Sequence, residues 1–460
     1  MTTPTTLPTE VARDLEEFSI EVPSWAYGNS GTRFKVFGTP GTPRDPFEKI
    51  ADAAQTHAFT GSAPRVSLHY PWDRVEDYSA LRDAAAEQGV QIGMINSNTF
   101  QDDEYKFGSL THGDKTVRRR AIAHHLECLD VMRETGSHEL KIWLADGTNY
   151  AGQDSIRRRQ DHLAESLQEI YLGLREGERL VLEYKFFEPA FYHTDVPDWG
   201  TSLMHCLALG EQAQVVLDTG HHAPGTNIEF IVAQLLRQNR LGAFDFNSRN
   251  YADDDLIVGA ADPFQLFRIL FEIVQQDAHR PASGVNFMLD ECHNLESKIQ
   301  GQIRSVLNVQ ETLAKALLVD REALADAQER HDVLEAHGIL MDAFWTDVRP
   351  ALAAFREERG LPADPFAAFR ASGYEEKVAA GALDPQQLDV LPGDGVGVGA
   401  LGGGVAAGVV GGGRVGAQGI RAGQQGLDRL PRARLSWGAH AQAPQLIWFP
   451  PTRSAATFSS

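Results

Sequence analysis

Cysteine is scarce in this chain, and the positions of the few that occur exclude a cysteine metal site. The three cysteines, Cys128, Cys206 and Cys292, lie far apart and match no zinc-binding spacing. We interpret them as reduced thiols, which favours a cytoplasmic protein. The first residues, MTTPTTLPTEVARDLEEF, contain neither a basic stretch nor an apolar one, so no secretory signal peptide is indicated.

Basic residues are also few: 42 Lys and Arg stand against 63 Asp and Glu, giving a formal net charge of −21. Nucleic-acid phosphates need a basic surface, so this excess of acid argues against a nucleic-acid partner and against a phosphodiesterase or endonuclease. The chain has no G-x-x-x-x-G-K-[ST] phosphate loop and no G-x-S-x-G nucleophile motif. Its 42% hydrophobic and 23% charged residues are typical of a soluble globular protein with no membrane partner.

Short apolar segments alternate with helical patterns through residues 23–318. This alternation predicts an α/β fold with a parallel sheet, and eight such units favour a closed (β/α)8 TIM barrel as the catalytic domain. A doubly wound open sheet is the alternative, but its site would gather at a switch point and not at successive strand ends. The first strand could also lie at Trp25–Tyr27. The predicted strands are Arg33–Phe37, Arg65–His69, Val90–Ile95, Leu140–Leu144, Leu180–Lys185, Gln214–Asp218, Ala243–Phe246 and Asn286–Asp290.

The regions flanking the barrel differ in character. Residues 1–22 form a polar N-terminal lead, and residues 319–390 read as a C-terminal helical extension, either packed on a neighbouring subunit or closing as a lid on its own barrel. Residues 391–460 contain six Arg, no Lys, two Asp and no Glu, and ten of the nineteen residues 395–413 are glycine. We expect a disordered, low-complexity Gly-rich tail there. Its composition is also typical of GC-rich DNA read out of frame, which resequencing the source DNA would test.

Four acidic residues end four separate apolar runs: Glu183, Asp218, Asp245 and Asp290. Active sites of parallel barrels lie at the C-terminal ends of the strands. Oxygen ligands in such a cluster suit a hard divalent ion. The sequence therefore predicts a metal site at the mouth of the barrel.

Two nearby segments add candidate ligands. His221 follows Asp218 by three residues, so one loop could supply two ligands, although Asp218 could instead cap the next helix. In the segment YADDD, Asp253 and Asp255 share a face if the chain is extended. A cation would offset the repulsion among these aspartates, and a solvated acidic loop is the alternative.

Other side chains predicted at the mouth suit a sugar. Lys185 shares a strand face with Glu183 and could polarise a carbonyl group, although a buried ion pair without a chemical role is the alternative. His69 ends the strand RVSLH, and Trp143 lies within KIWLAD. A histidine beside an aromatic wall suits a ligand that is apolar on one side and hydroxylated on the other. Core packing is the alternative for Trp143.

Taken together, these residues resemble the L-rhamnose isomerase family, the single-domain bacterial type of xylose-isomerase-like barrel. The likeness covers about residues 20–380. It implies a metal-dependent aldose–ketose isomerase that converts L-rhamnose to L-rhamnulose, accepts other aldoses and forms a homotetramer. The matching segments are SLHYPWD (67–73), KIWLADGTNYAGQ (141–153), LEYKFFEPAFYHT (182–194), LDTGHHAPGTNIE (217–229), FNSRNYADDDL (246–256) and FMLDECHN (287–294).

The resemblance also implies two divalent cations, with Mn the expected ion and Mg, Co or Zn as alternatives. Family members carry histidine where this chain has Asp245, so an added charge and a lost nitrogen donor predict a shift toward harder ions. The first ion would be held by Glu183, Asp218, Asp245 and Asp290, and the second by His221, Asp253 and Asp255, with Glu183 approaching both.

For the sugar, the resemblance implies that Lys185 hydrogen-bonds the carbonyl end of the open chain and that His69 assists ring opening. Trp143 would stack on the sugar, and His221 would lie beside it. Our hypothesis is a hydride shift from C2 to C1, with Asp255 as the proton shuttle. An enediol route, a ketose epimerase with two opposed glutamates, and a sugar-binding barrel without turnover are the alternatives.

Overall fold

The computed structural model describes residues 3–29, 36–187 and 193–381. The predicted tail and the last nine residues of the predicted helical extension lie outside the described residues. Eight parallel strands pair in chain order, and β1 pairs with β8, so the sheet closes into a barrel and the predicted (β/α)8 fold is confirmed. The strands are β1 (Glu21–Pro23), β2 (Arg65–His69), β3 (Gln91–Asn96), β4 (Glu139–Ile142), β5 (Arg179–Glu183), β6 (Ala213–Asp218), β7 (Leu241–Phe246) and β8 (Asn286–Leu289).

The first strand corrects the prediction, whereas the other seven overlap the predicted segments. The segment 33–37 lies partly outside the described residues, and the alternative at Trp25–Tyr27 belongs to a short helix. Strand β1 instead begins inside the predicted lead, where Val22 pairs with Val66 of β2. Strand β1 has only three residues and ends at Pro23, which lacks an N–H for the ladder. Because the strand is so short, no apolar run marks it in the sequence.

Helices connect the strands and surround the barrel. Side-chain caps mark where several of them begin; the carboxylate of Asp45, for example, accepts the backbone N–H of Glu48. None of the described helices combines the length and apolarity needed to cross a membrane. The helices are α1 (Thr9–Glu17), α2 (Ser24–Tyr27), α3 (Pro46–Thr60), α4 (Tyr78–Glu87), α5 (Lys115–Thr135), α6 (Ile156–Tyr171), α7 (Trp199–Leu209), α8 (Ile228–Arg237), α9 (Pro263–Gln275), α10 (Lys298–Leu317), α11 (Arg321–Glu329), α12 (Val333–Phe344), α13 (Arg349–Glu357), α14 (Pro365–Ser372) and α15 (Tyr374–Ala379).

The core has two apolar layers, one between the strands and the helices and one inside the barrel. Successive strand residues point to opposite faces of the sheet. A residue two positions beyond an inner-layer residue therefore also points inward, one step nearer to the C-terminal mouth. The inner layer contains Trp25, Met94, Val181, Val216, Ala243 and Met288.

The C-terminal helices pack on the outside of their own barrel. The ring of Phe369 on α14 lies 5.4 Å from that of Phe59 on α3, in an edge-to-face arrangement. The hydroxyl of Tyr374 donates a 2.8 Å hydrogen bond to Asp52, also on α3. Among the residues described between 319 and 381, none lines the pocket at the strand ends.

Candidate active site

Four carboxylates meet at the mouth of the barrel. Each offers an oxygen, and these four oxygens all lie within 4.8 Å of one another. Strand periodicity explains the convergence, because each acidic residue lies two positions beyond an inner-layer residue and so faces inward. The pairs of inner-layer residue and carboxylate are Val181 and Glu183, Val216 and Asp218, Ala243 and Asp245, and Met288 and Asp290.

Asp218 is oriented by a neighbouring amide. The side-chain N–H2 of Asn247 lies 3.0 and 3.2 Å from the two carboxylate oxygens of Asp218 and donates to them. Asn227 caps helix α8, so the alternative that Asp218 caps this helix is wrong. Burial raises the pKa of Asp218 to about 7, and the neighbouring carboxylates of Asp253 and Asp290 add to the rise.

His221 joins Glu183 and Asp218 in a second compact group whose ligand atoms lie within 4.8 Å of one another. Its Nδ1 lies 3.0 Å from the carbonyl oxygen of Tyr184, and its Nε2 lies 3.5 Å from Asp253. An N–H at Nδ1 that donates to this carbonyl leaves the lone pair of Nε2 for an ion. Burial alone would lower the pKa of His221, but Asp218 and Asp253 outweigh it and raise the pKa well above its ordinary value.

The three consecutive aspartates after β7 face in different directions. Asp254 turns its carboxylate toward its own loop and accepts the backbone N–H of Tyr251 at 2.8 Å. Asp253 and Asp255 both line the pocket, and Asp255 has a φ of +47°, a conformation that is uncommon outside glycine. The Nζ of Lys185 lies 2.7 Å from Asp253. The loop thus presents the carboxylates of Asp253 and Asp255 to the pocket instead of exposing all three aspartates to solvent.

Aromatic side chains also line the pocket. His69 stacks on Trp72 with ring centres 3.8 Å apart, and Trp143 meets Phe100 edge to face at 4.8 Å. Burial lowers the pKa of His69 well below its ordinary value, which favours the neutral imidazole. The Nδ1 of His69 and the Nε1 of Trp143 are buried and have no hydrogen-bond partner among the described residues. Both atoms could therefore bond to ligand hydroxyls.

The donor set fits a divalent ion. Buried and half-buried carboxylates outnumber the basic groups here, and an ion would offset the excess negative charge. The Oδ1 of Asp245 is buried without a hydrogen-bond partner among the described residues, and a cation would satisfy it. All seven predicted ligands lie at this mouth: Glu183, Asp218, His221, Asp245, Asp253, Asp255 and Asp290.

Comparison with known proteins identifies the family of this chain. The profile of a family described as L-rhamnose isomerase (RhaA) matches residues 78–378. The chain belongs to the L-rhamnose isomerase family. A probable sugar isomerase of Rhizobium meliloti is 44% identical over 370 residues, which cover 79% of this chain and 86% of that protein. A probable sugar isomerase of Mesorhizobium japonicum is 43% identical over 373 residues, covering 80% and 86%. A solved structure of L-ribulose 3-epimerase has 13% identity and a TM-score of 0.47, covering 68% of this chain and 97% of that one.

Besides Asn247, one further residue in this L-rhamnose isomerase-family site was missed in the sequence. Lys141 on β4 is 2% exposed and forms ion pairs with Asp245, with Glu183 at 3.1 Å and with Asp290 at 3.7 Å. Burial alone would lower the pKa of Lys141, but these three carboxylates hold it well above the ordinary value. The signal was present: Leu140 and Ile142 belong to the outer apolar layer, so the residue between them faces into the barrel.

Proposed function

We propose that this chain is a divalent-cation-dependent aldose–ketose isomerase that interconverts L-rhamnose and L-rhamnulose by a 1,2-hydride shift. One observation carries the proposal: a single pocket joins the Lys185 ammonium, a carboxylate–histidine group and an aromatic wall. That combination suits a sugar whose reacting end is polar and whose ring or chain has an apolar face. Membership of the L-rhamnose isomerase family supports the choice of substrate.

A bound divalent ion would act as a Lewis acid on the carbonyl and the neighbouring hydroxyl of the open-chain sugar. Glu183, Asp218 and His221 are the residues we propose to hold it, because their ligand atoms lie within 4.8 Å of one another and include a nitrogen. Manganese is the ion we propose, since oxygen donors with one imidazole suit it. The remaining candidate ligands are Asp245, Asp253, Asp255 and Asp290.

The chain's own residues account for the other parts of the reaction. Lys185 would donate a hydrogen bond to the carbonyl oxygen at C1. Asp255 would take the proton from the C2 hydroxyl as the hydrogen at C2 moves with its electron pair to C1. The same carboxylic acid would then return the proton to the oxygen at C1, which leaves a ketone at C2. A carboxylate in reach of both oxygens can serve in this way as base and then as acid.

His69 and Trp143 would bind the sugar without taking part in the hydride shift. The neutral imidazole of His69 can bond to the ring oxygen or to a hydroxyl as the ring opens. The indole of Trp143 offers a flat face with a polar edge, an arrangement that suits a sugar. The family resemblance and the free cysteines are our grounds for proposing a homotetramer in the cytoplasm.

The deciding experiment is isomerisation of L-rhamnose by metal-stripped protein, with and without added Mn(II), followed as ketose formation. We expect activity only with the ion. If folded protein fails with L-rhamnose but turns over another aldose, the reaction class stands and the substrate is wrong. Failure with a panel of aldoses, combined with tight sugar binding, would leave a sugar-binding barrel instead.

Deuterium or tritium at C2 separates the hydride shift from an enediol route. A hydride shift keeps the label in the product, whereas an enediol releases it to solvent. Epimerisation at C3 would normally use two opposed glutamates, and Glu183 is the one glutamate among the described pocket-lining residues. Loss of the label to water during L-rhamnose turnover would count against the proposed mechanism.

A further inference from the structure

The ammonium of Lys141 lies among the carboxylates that were predicted to hold the first divalent ion. Its ammonium contacts Asp245, Glu183 and Asp290, three of the four carboxylates predicted to hold the first ion. Neighbouring strands β4 and β5 place Lys141 opposite Val181, which lies in the inner layer just below these carboxylates. The aliphatic stem therefore fills the barrel interior and lifts the ammonium to the level of the acidic groups.

The protein's own donors already serve most oxygens of this set. Besides its contact with Lys141, Asp290 accepts a 3.0 Å hydrogen bond from Nε1 of Trp25. One oxygen of Glu183 faces Lys141, and the other lies 3.1 Å from His221. The unpartnered Oδ1 of Asp245 is the exception.

A divalent ion bound to these same oxygens would lie beside a fixed ammonium. The two positive charges would repel each other strongly in so buried a place. Lys141 cannot relieve this by swinging out to water, because it is a strand residue only 2% exposed. Asp218 and His221, by contrast, form no ion pair with Lys141 among the described residues.

We infer that the Lys141 ammonium takes the place of one of the two predicted ions, so that each chain binds one divalent ion. That ion is held by Asp218, His221 and the Glu183 oxygen that faces His221 and not Lys141, and Oδ1 of Asp245 is free to approach it as well. Lys141 is thus a positioning residue: it neutralises Asp245 and Asp290 and keeps a second ion out. The inference rests on the proposed function only in taking this mouth as an ion-binding site.

The test is a count of bound ions on the full chain. Metal-stripped protein is titrated with Mn(II), and bound metal is measured by equilibrium dialysis with elemental analysis. We expect one ion per chain for the wild type and two for Lys141→Met, because the variant frees the first carboxylate set. Lys298→Met is the matched control: Lys298 is also buried, but its ammonium donates to the backbone carbonyl of His293, so the count should stay at one.

Two tightly bound ions in the wild type would overturn the inference, and so would a single ion in folded Lys141→Met. If that variant does not fold, the electron paramagnetic resonance spectrum of wild-type protein with excess Mn(II) decides: an isolated-ion spectrum supports the inference and a spin-coupled pair overturns it. Sugar turnover is scored separately. If the wild type binds one ion but isomerises no aldose, the proposed function is wrong and this inference stands. If it binds two ions and isomerises a sugar, this inference is wrong and the proposed function stands.

Discussion

The ammonium nitrogen of Lys185 lies 2.7 Å from a carboxylate oxygen of Asp253 and 5.2 Å from the centre of the Trp143 ring. A buried ammonium is costly unless an anion compensates its lost hydration, and Asp253 supplies that compensation. The aromatic face adds a weaker attraction. The two contacts fix the nitrogen at the edge of the pocket, where it can meet the reacting end of a sugar.

Replacing Lys185 should impair the chemical step more than sugar binding. We expect Lys185→Met to lower kcat for L-rhamnose by about 10²–10³-fold, because the lost donor acts where negative charge develops on oxygen. KM should change much less. Steady-state kinetics at saturating Mn(II) measures both quantities.

The control for Lys185→Met is Lys298→Met, which also removes a buried ammonium but leaves the pocket intact. The control should keep kcat near the wild-type value even if its thermal stability falls. A Lys185→Met enzyme with unchanged kcat and raised KM would mean that Lys185 binds the sugar equally in the ground and transition states.

Trp143 should contribute to affinity through its flat face. Trp143→Leu should raise KM for L-rhamnose roughly 10-fold, in line with about 0.5–1.5 kcal/mol for a good aromatic contact. Trp143→Phe keeps an aromatic face and loses only the N–H, so it should cost less. If Trp143→Phe raises KM as much as Trp143→Leu does, the indole N–H and not the aromatic face provides the affinity. The control is Trp345→Leu, which removes an exposed tryptophan elsewhere and should leave KM unchanged.

Much of the site could be predicted because strand periodicity carries it. Carboxylates that end apolar runs, such as Glu183 and Asp218, face inward at the mouth for the same reason that the preceding inner-layer residues do. The alternation of strands and helices likewise gave the barrel. Strand β1 escaped prediction because three residues, one of them proline, offer no run to recognise.

Lys141 and Asn247 were missed for a different reason. Lys141 lies two residues before Trp143, and Asn247 lies two residues after Asp245, both of which were predicted site residues. Each of the two missed residues contacts a carboxylate from another strand. Such a partnership depends on which strands are neighbours and on how far a side chain reaches across the barrel. A single sequence shows that Lys141 faces inward, but not which acidic groups it will meet.

Asn247 should tune ion affinity without binding the ion itself. Its amide donates to both oxygens of Asp218 and so fixes the orientation of that carboxylate. Partners of this kind typically contribute about 10–100-fold to metal affinity. We expect Asn247→Ala to weaken Mn(II) binding by that factor without changing the number of ions bound, as measured by calorimetric titration.

The control for Asn247→Ala is Asn308→Ala. The Asn308 amide donates to the backbone carbonyl of Val258, away from the carboxylates, so ion affinity should be unchanged. Equal losses in the two variants would mean that the effect comes from general destabilisation. Wild-type affinity in Asn247→Ala would show that the protein backbone alone orients Asp218.

Asp52 should make folding stability depend on pH far from the active site. Burial raises its pKa to about 8. Because the folded state binds this proton more tightly than the unfolded state, Asp52 contributes stability that is fully present below about pH 4 and is lost as pH rises toward 8. Asn resembles the protonated acid and can still accept the hydrogen bond from Tyr374. Asp52→Asn should therefore gain stability relative to the wild type as pH rises from 5 to 8, and no further above that.

Asp14 provides a control of opposite sign. Burial would raise its pKa, but hydrogen bonds from Arg280, His279 and Arg13 outweigh burial and lower it. Asp14 thus contributes stability at neutral pH that is lost as pH falls through its folded pKa, so Asp14→Asn should be less stable than the wild type at pH 7. Urea unfolding of the three proteins between pH 5 and 9 measures both effects. Parallel stability curves for wild type and Asp52→Asn would show that Asp52 is ionised in the folded protein, and that the contact between Tyr374 and α3 holds a charged carboxylate.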